Sequence, residues 1–223
     1  MTTTSAESPE RRPDAGTPRR RARLLVLLLG ALVTLSGCAA SALDQEGPYA
    51  GIELEVPLPI PAVVLTDTDG QPYDLQEHLA GRLGLVYFGY TSCPDICPVH
   101  LAQLESVLEQ GDMPANVQVV FISVAPDRDD PAGIRRFLDQ FDKRFVGLVG
   151  DHEELADAQR AFGVPVAAKE GDGDDYTFGH AGQVFAFAPD GVAYTVYPQG
   201  TRQSHWSQDL PKLAEITPAE NDR

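Results

Sequence analysis

Leu83 to Tyr90 is a nearly continuous apolar run that leads directly into Cys93-Pro94-Asp95-Ile96-Cys97-Pro98. Such a run predicts a strand buried on both faces, as in a sheet covered by helices on each side. Pro98 to Glu109 then reads as a helix, with Leu101, Leu104, Val107 and Leu108 along one face. Three residues separate the two cysteines, so helical geometry would put both sulfurs on one face. They would then reach each other or share one ion. A helix N-terminus favours the thiolate, so both thiols are expected to ionise more easily than usual.

The remaining elements fit the same plan. Ala62 to Thr66 is a short apolar strand, Asp69-Gly70 marks a turn, and Pro72 to Leu75 suits a return strand. Val117 to Val124 and Val146 to Val149 are further strands. Asp130-Pro131 and Asp151 open helices by the N-cap rule, and Gly163 ends the second. Residues 167–175 are acidic and glycine-rich, which predicts an exposed loop. Gln183 to Ala188 and Val192 to Tyr197 flank Pro189-Asp190-Gly191, a hairpin signal. Ser204 to Leu213 closes the chain as a helix. Alternating strands and helices predict an α/β domain with a parallel core. A dithiol between the first core strand and its helix is the thioredoxin arrangement. The expected fold is therefore thioredoxin-like, a central mixed sheet with flanking helices and a β-hairpin insertion.

The N-terminus reads as a targeting segment. Arg19, Arg20, Arg21 and Arg23 precede an apolar run from Leu24 to Leu35. Twelve helical residues span about 18 Å, short of the roughly 30 Å hydrocarbon core, so a signal peptide is expected. Leu35-Ser36-Gly37-Cys38 resembles the bacterial lipobox, which makes Cys38 the lipidation candidate. An ordinary secretory leader or a short uncleaved anchor are the alternatives. The expected organisation is a signal peptide over 1–37, a tether over 38–57, the domain over 58–214 and a polar tail over 215–223. The expected location is the extracytoplasmic face of the cell membrane, held by lipid.

Charge narrows the partners. The chain carries −16 in all, and its first 37 residues carry +3, which leaves −19 on the remainder. That balance repels phosphate backbones and argues against nucleic acid. Cysteine usage narrows the chemistry. With Cys38 assigned to lipidation, Cys93 and Cys97 are the pair that remains among three cysteines. One close pair in an exported chain is not a disulfide scaffold, and so small a loop stabilises little. Redox or metal chemistry explains it better. Two thiolates form a soft site that selects Cu(I) or Zn(II) and calls for a third ligand. His78, His100, His152 and His205 read as surface residues, although His100 lies only three positions past Cys97. His180, in Phe178-Gly179-His180-Ala181, precedes the hairpin strand, and spacing alone leaves its role open. Met113 sits in a loop, so no methionine relay is expected. Tyr87, Phe88 and Phe121 read as core.

Residues 83–101 resemble the Sco/SenC family of copper-binding proteins. So do Phe121-Ile122-Ser123-Val124-Ala125-Pro126-Asp127-Arg128-Asp129, Val146 to Gly150, Asp175-Tyr176 followed by His180, and Pro189-Asp190-Gly191. The similarity runs over roughly residues 57–213. It implies a membrane-anchored, thioredoxin-like protein with Cys93, Cys97 and His180 as copper ligands. It also implies delivery of copper to the dinuclear copper centre of cytochrome c oxidase, with an upstream copper carrier as a further partner. Some members act instead as thiol-disulfide reductases on the apo centre, which would make Cys93 and Cys97 a redox pair. A peroxidase and a zinc-storage protein are weaker readings of the same residues. Two positions depart from the family pattern. Ala125 stands where Asp is usual, and Gly179 stands where an acid precedes the histidine. Either position could supply hydrogen bonds that orient ligands, and Asp127 or Asp175 is the candidate substitute.

Overall fold

A computed structural model describes residues 47–171 and 176–218. The leader, Cys38, the first part of the tether, Asp175 and the end of the tail lie outside the described residues. Among the described residues no helix is long and apolar enough to cross a membrane.

The chain runs through β1 (Ile52–Pro59), β2 (Val64–Asp67), β3 (Pro72–Asp74) and the one-turn helix α1 (Leu75–His78). It continues through β4 (Leu83–Gly89), α2 (Ile96–Leu108), β5 (Val117–Ser123), α3 (Pro131–Leu138), β6 (Val146–Val149) and α4 (His152–Ala161). Then come β7 (Ala168–Glu170), β8 (Thr177–Gly179), β9 (Val184–Phe187), β10 (Val192–Tyr197) and α5 (Gln203–Ala214). Eight strands form one mixed sheet in the order β1-β10-β9-β4-β5-β6-β2-β3. β4, β5 and β6 are parallel, as the strand–helix alternation predicts. Every residue of β4 is buried, which accounts for its unbroken apolar run.

Local signals set the element ends. Asp130 caps α3 with Pro131 in its first turn, and Asp151 forms a capping box with Glu154 at α4. Gly163 follows α4 at φ +69°, and Gly191 turns the β9–β10 hairpin at φ +84°, both in the left-handed region that side chains avoid. The hairpin inserts beside β4. Tyr87 pairs with Val184, so β9 begins next to the C-terminal end of β4. That register brings the segment just ahead of β9 to the cysteine loop.

Two segments differ from the sequence expectation. Residues 52–57, expected within the tether, belong to β1, which pairs antiparallel with β10. The physical reason lies in α5. Asp209 is fully buried and accepts hydrogen bonds from Ala50 N (2.8 Å), Gly51 N (2.9 Å) and the Tyr197 hydroxyl (3.1 Å). Lys212 adds a bond to the Pro48 carbonyl at 2.8 Å. This latch ties the incoming chain to the last helix before β1 starts. Asp209→Ala leaves three donors unpaired, two of them buried, and is expected to cost about 3 kcal/mol. At roughly 2–4 °C per kcal/mol for a domain of this size, thermal unfolding should show the loss clearly. The second difference is in the expected loop over 167–175. Its first part is strand, because β7 and β8 pair into a separate two-stranded ribbon with Ala168 opposite Gly179.

Candidate metal centre

β4 ends at Gly89 and the backbone turns, with Cys93 N donating to the Tyr90 carbonyl at 3.2 Å. Helix α2 begins at Ile96, so Cys97 lies in its first turn while Cys93 lies in the loop before it. The two sulfurs therefore meet across a turn and a helix start, not along one helical face. Cys97 is fully buried and Cys93 nearly so, at 9% exposure. Gly89 makes room for Cys97. A Cβ there would stand 2.9 Å from Cys97 Sγ and 2.7 Å from the Phe121 ring.

His180 follows β8 and approaches from the other side. Its Nε2 lies 3.8 Å from Cys97 Sγ, and the ligand atoms of Cys93, Cys97 and His180 all lie within 4.8 Å of one another. His180 Nδ1 is 3.1 Å from the Ala181 carbonyl. A carbonyl only accepts, so Nδ1 carries the proton and Nε2 offers its lone pair toward the sulfurs. The chain thus places two sulfurs and one imidazole nitrogen around one point, a donor set that fits a soft or borderline metal ion.

The two thiols are not equivalent, contrary to the expectation that both ionise easily. Cys93 is lowered to about 4, chiefly by a hydrogen bond from the Cys97 thiol, against the opposing effect of burial. The Asp95 and Cys97 backbone N–H groups support its thiolate. Cys97 is raised, because it holds its proton in that same bond and because it is buried. The helix N-terminus therefore serves Cys93, which sits in front of it, more than Cys97, which sits inside it.

Tyr87 belongs to this site as well as to the core. Its hydroxyl donates to Cys97 Sγ at 3.3 Å and eases Cys97 ionisation. Strand β4 is buried on both sides, so alternation gave no sign of which face Tyr87 takes. Tyr87→Phe is expected to push Cys97 further up while changing stability by no more than about 1 kcal/mol. Weaker Cu(I) binding at neutral pH, where the Cys97 proton must be given up to the ion, checks the first half, and thermal unfolding checks the second. Tyr90 is the second aromatic neighbour. Its ring meets His180 edge-on at 5.6 Å, and its hydroxyl accepts from Phe178 N at 3.3 Å.

Acids stand near both departures from the family pattern. Asp129 is buried and accepts from Thr91 N (3.1 Å), Thr91 Oγ1 (2.6 Å) and Ser123 Oγ (2.8 Å), which fixes the loop just ahead of Cys93. Where a side chain at Gly179 would begin, the Glu170 carboxylate reaches across from β7. Asp127 plays no such part, since it is exposed and pairs with His152 at 3.0 Å.

The other histidines divide. His78 and His152 are exposed, as expected, and His205 is half-buried. His100 corrects the expectation of a surface residue. It is 1% exposed and packs edge-on against Tyr87 (5.3 Å) and Trp206 (6.4 Å). Burial lowers its pKa, which favours the neutral ring. Its spacing to Leu104 and Val107, on the buried face of α2, was the available signal.

The SCO1/SenC family model matches residues 61–215. A putative copper-binding protein of Stutzerimonas stutzeri is 34% identical over 177 residues, covering 77% of this chain and 83% of that protein. The mitochondrial SCO2 homolog of Mus musculus is 39% identical over 138 residues, covering 60% of this chain and 53% of that protein. Among solved structures, copper-bound ScoI of Bradyrhizobium japonicum matches with a TM-score of 0.61 and 32% identity. It covers 70% of this chain and 99% of that one.

Proposed function

Because the chain belongs to the SCO1/SenC family, we propose that it is a membrane-tethered copper carrier that loads the dinuclear copper centre of cytochrome c oxidase. The observation that supports this reading most is the convergence of Cys93, Cys97 and His180 on one point. Two thiolates make the site soft, and the imidazole supplies a donor that also suits copper. Three protein donors leave the ion open to an incoming ligand. Cysteines of the oxidase subunit take over the copper by ligand exchange, without turnover. An upstream copper carrier fills the site in the same manner. A lipid on Cys38 holds the chain at the extracytoplasmic face.

The thiolate–thiol asymmetry favours a second reading, a thiol-disulfide reductase. Cys93 as thiolate attacks a partner disulfide, forms a mixed disulfide and releases one partner thiolate. Cys97, on losing its proton, attacks Cys93 Sγ and frees the second, so two electrons pass to the partner. His180→Ala separates the readings. For a carrier, copper transfer to the apo oxidase subunit should fall by more than about tenfold, and reduction of its disulfide should be slow in both proteins. Full reductase activity in a metal-free His180→Ala chain would move the assignment to the second reading.

A further inference from the structure

We propose that Arg128 and Asp129 form a brace that sets the distance between the histidine ribbon and the dithiol loop, with Arg128 as a positioning residue for His180. The two residues are neighbours in the loop between β5 and α3, yet they reach opposite halves of the site. Asp129 holds the dithiol side through Thr91 and Ser123. Arg128 holds the histidine side. Its Nη1 donates to the Tyr176 carbonyl at 2.8 Å, and its guanidinium carbon stands 4.5 Å from the centre of the Tyr176 ring. Lys169 Nζ lies 3.9 Å from the centre of that ring.

Tyr176 leads directly into β8, and His180 follows β8 directly. The ribbon needs such a fastening. It has two strands of three residues each, β7 is fully exposed, and its strands pair with each other and not with the main sheet. A two-stranded ribbon is marginal alone in water. Between the two ends, contacts pass the restraint along. Phe178 packs edge-on against Tyr176 (5.4 Å) and Tyr90 (5.4 Å), and Tyr90 meets His180. Releasing Arg128 frees the start of the ribbon, and the order lost must be recovered each time the imidazole joins an ion.

The inference rests on the copper reading for its affinity arm, and a metal-free arm is independent of it. Both use the full chain. Arg128→Ala and Arg128→Lys are made with and without His180→Ala. Cu(I) affinity is measured by chelator competition, and amide hydrogen exchange is followed at 177–181 in the metal-free protein. Arg128→Ala is expected to weaken Cu(I) by about 10–100-fold, the range for outer partners of a ligand. Exchange at 177–181 rises about tenfold while β4 and β5 are unchanged. Arg128→Lys keeps a cation over the ring and recovers most of both effects. In the His180→Ala background the loss of Arg128 weakens copper no further. A wild-type chain that bound no copper, with exchange still raised by Arg128→Ala, would sink the copper reading and leave the brace standing. Unchanged exchange in Arg128→Ala, or an equal affinity loss with and without His180, would overturn the brace.

Discussion

Cys97→Ala is expected to abolish copper retention by the chain, with a loss well beyond the roughly 10–100-fold that follows removal of an outer partner. Cys97 is fully buried between Gly89, Tyr87 and the first turn of α2. Water reaches that position poorly, and among the described residues Cys93 is the one soft donor left at the site. Cys93 and His180 would remain as one sulfur and one nitrogen, a pair that a chelator strips readily. His180→Ala should act more mildly on Cu(I), because both thiolates stay, and more severely on Cu(II), which the imidazole suits. Chelator competition for Cu(I) and thiolate-to-copper absorption for Cu(II) separate the two effects. Far-ultraviolet circular dichroism should be unchanged, since a small apolar side chain replaces a small buried one at modest cost.

The second large effect is a split between the thiols of the metal-free chain. A small alkylating reagent should label one cysteine, Cys93, at a rate that is flat between pH 6 and pH 8. An ordinary thiol would speed up by roughly fiftyfold or more across that range, as its thiolate fraction grows. Cys97 should stay unlabelled until the fold opens. The same asymmetry governs stability. Between about pH 4 and about pH 8.5 the folded chain binds fewer protons at Cys93 than the unfolded chain does. Stability from this group therefore rises with pH across that window and is lost as pH falls through about 4. Cys97 is raised, so its contribution is complete below about pH 8.5 and declines above it. Cys93→Ser should flatten the acid limb of a denaturation-against-pH curve and shrink the alkaline limb to the part that burial of Cys97 sustains, because one bond shifts both thiols. Equal labelling of both cysteines, or a labelling rate that climbs with pH, would contradict the split.

Most of the scaffold was legible because its signals are local. The run from Leu83 to Tyr90 has the length and the unbroken apolar character of a strand covered on both faces. Asp130-Pro131, Asp151 and Pro189-Asp190-Gly191 carry their caps and turn in adjacent residues. The cysteine pair announced a soft or redox site through spacing alone. His180 was different, since 83 positions separate it from Cys97 and family resemblance, not spacing, singled it out. What spacing could not supply is the register of β9 on β4, which is a tertiary fact. β1 was missed for a similar reason. Its alternation of acidic and apolar residues leaves most of it exposed, and the buried carboxylate that fastens the preceding residues is 158 positions away. Tyr87 was assigned to the core correctly but incompletely, because a strand buried on both sides gives no face to read. The β7–β8 ribbon hides in a composition that otherwise signals loop, and pairing there is set by tertiary fastening.

X-ray absorption at the copper edge of the loaded full chain tests the central claim most directly. The account predicts one copper with two sulfur scatterers and one imidazole nitrogen, and loss of the imidazole signature alone in His180→Ala. A copper shell without imidazole, or one that His180→Ala leaves unaltered, would contradict it.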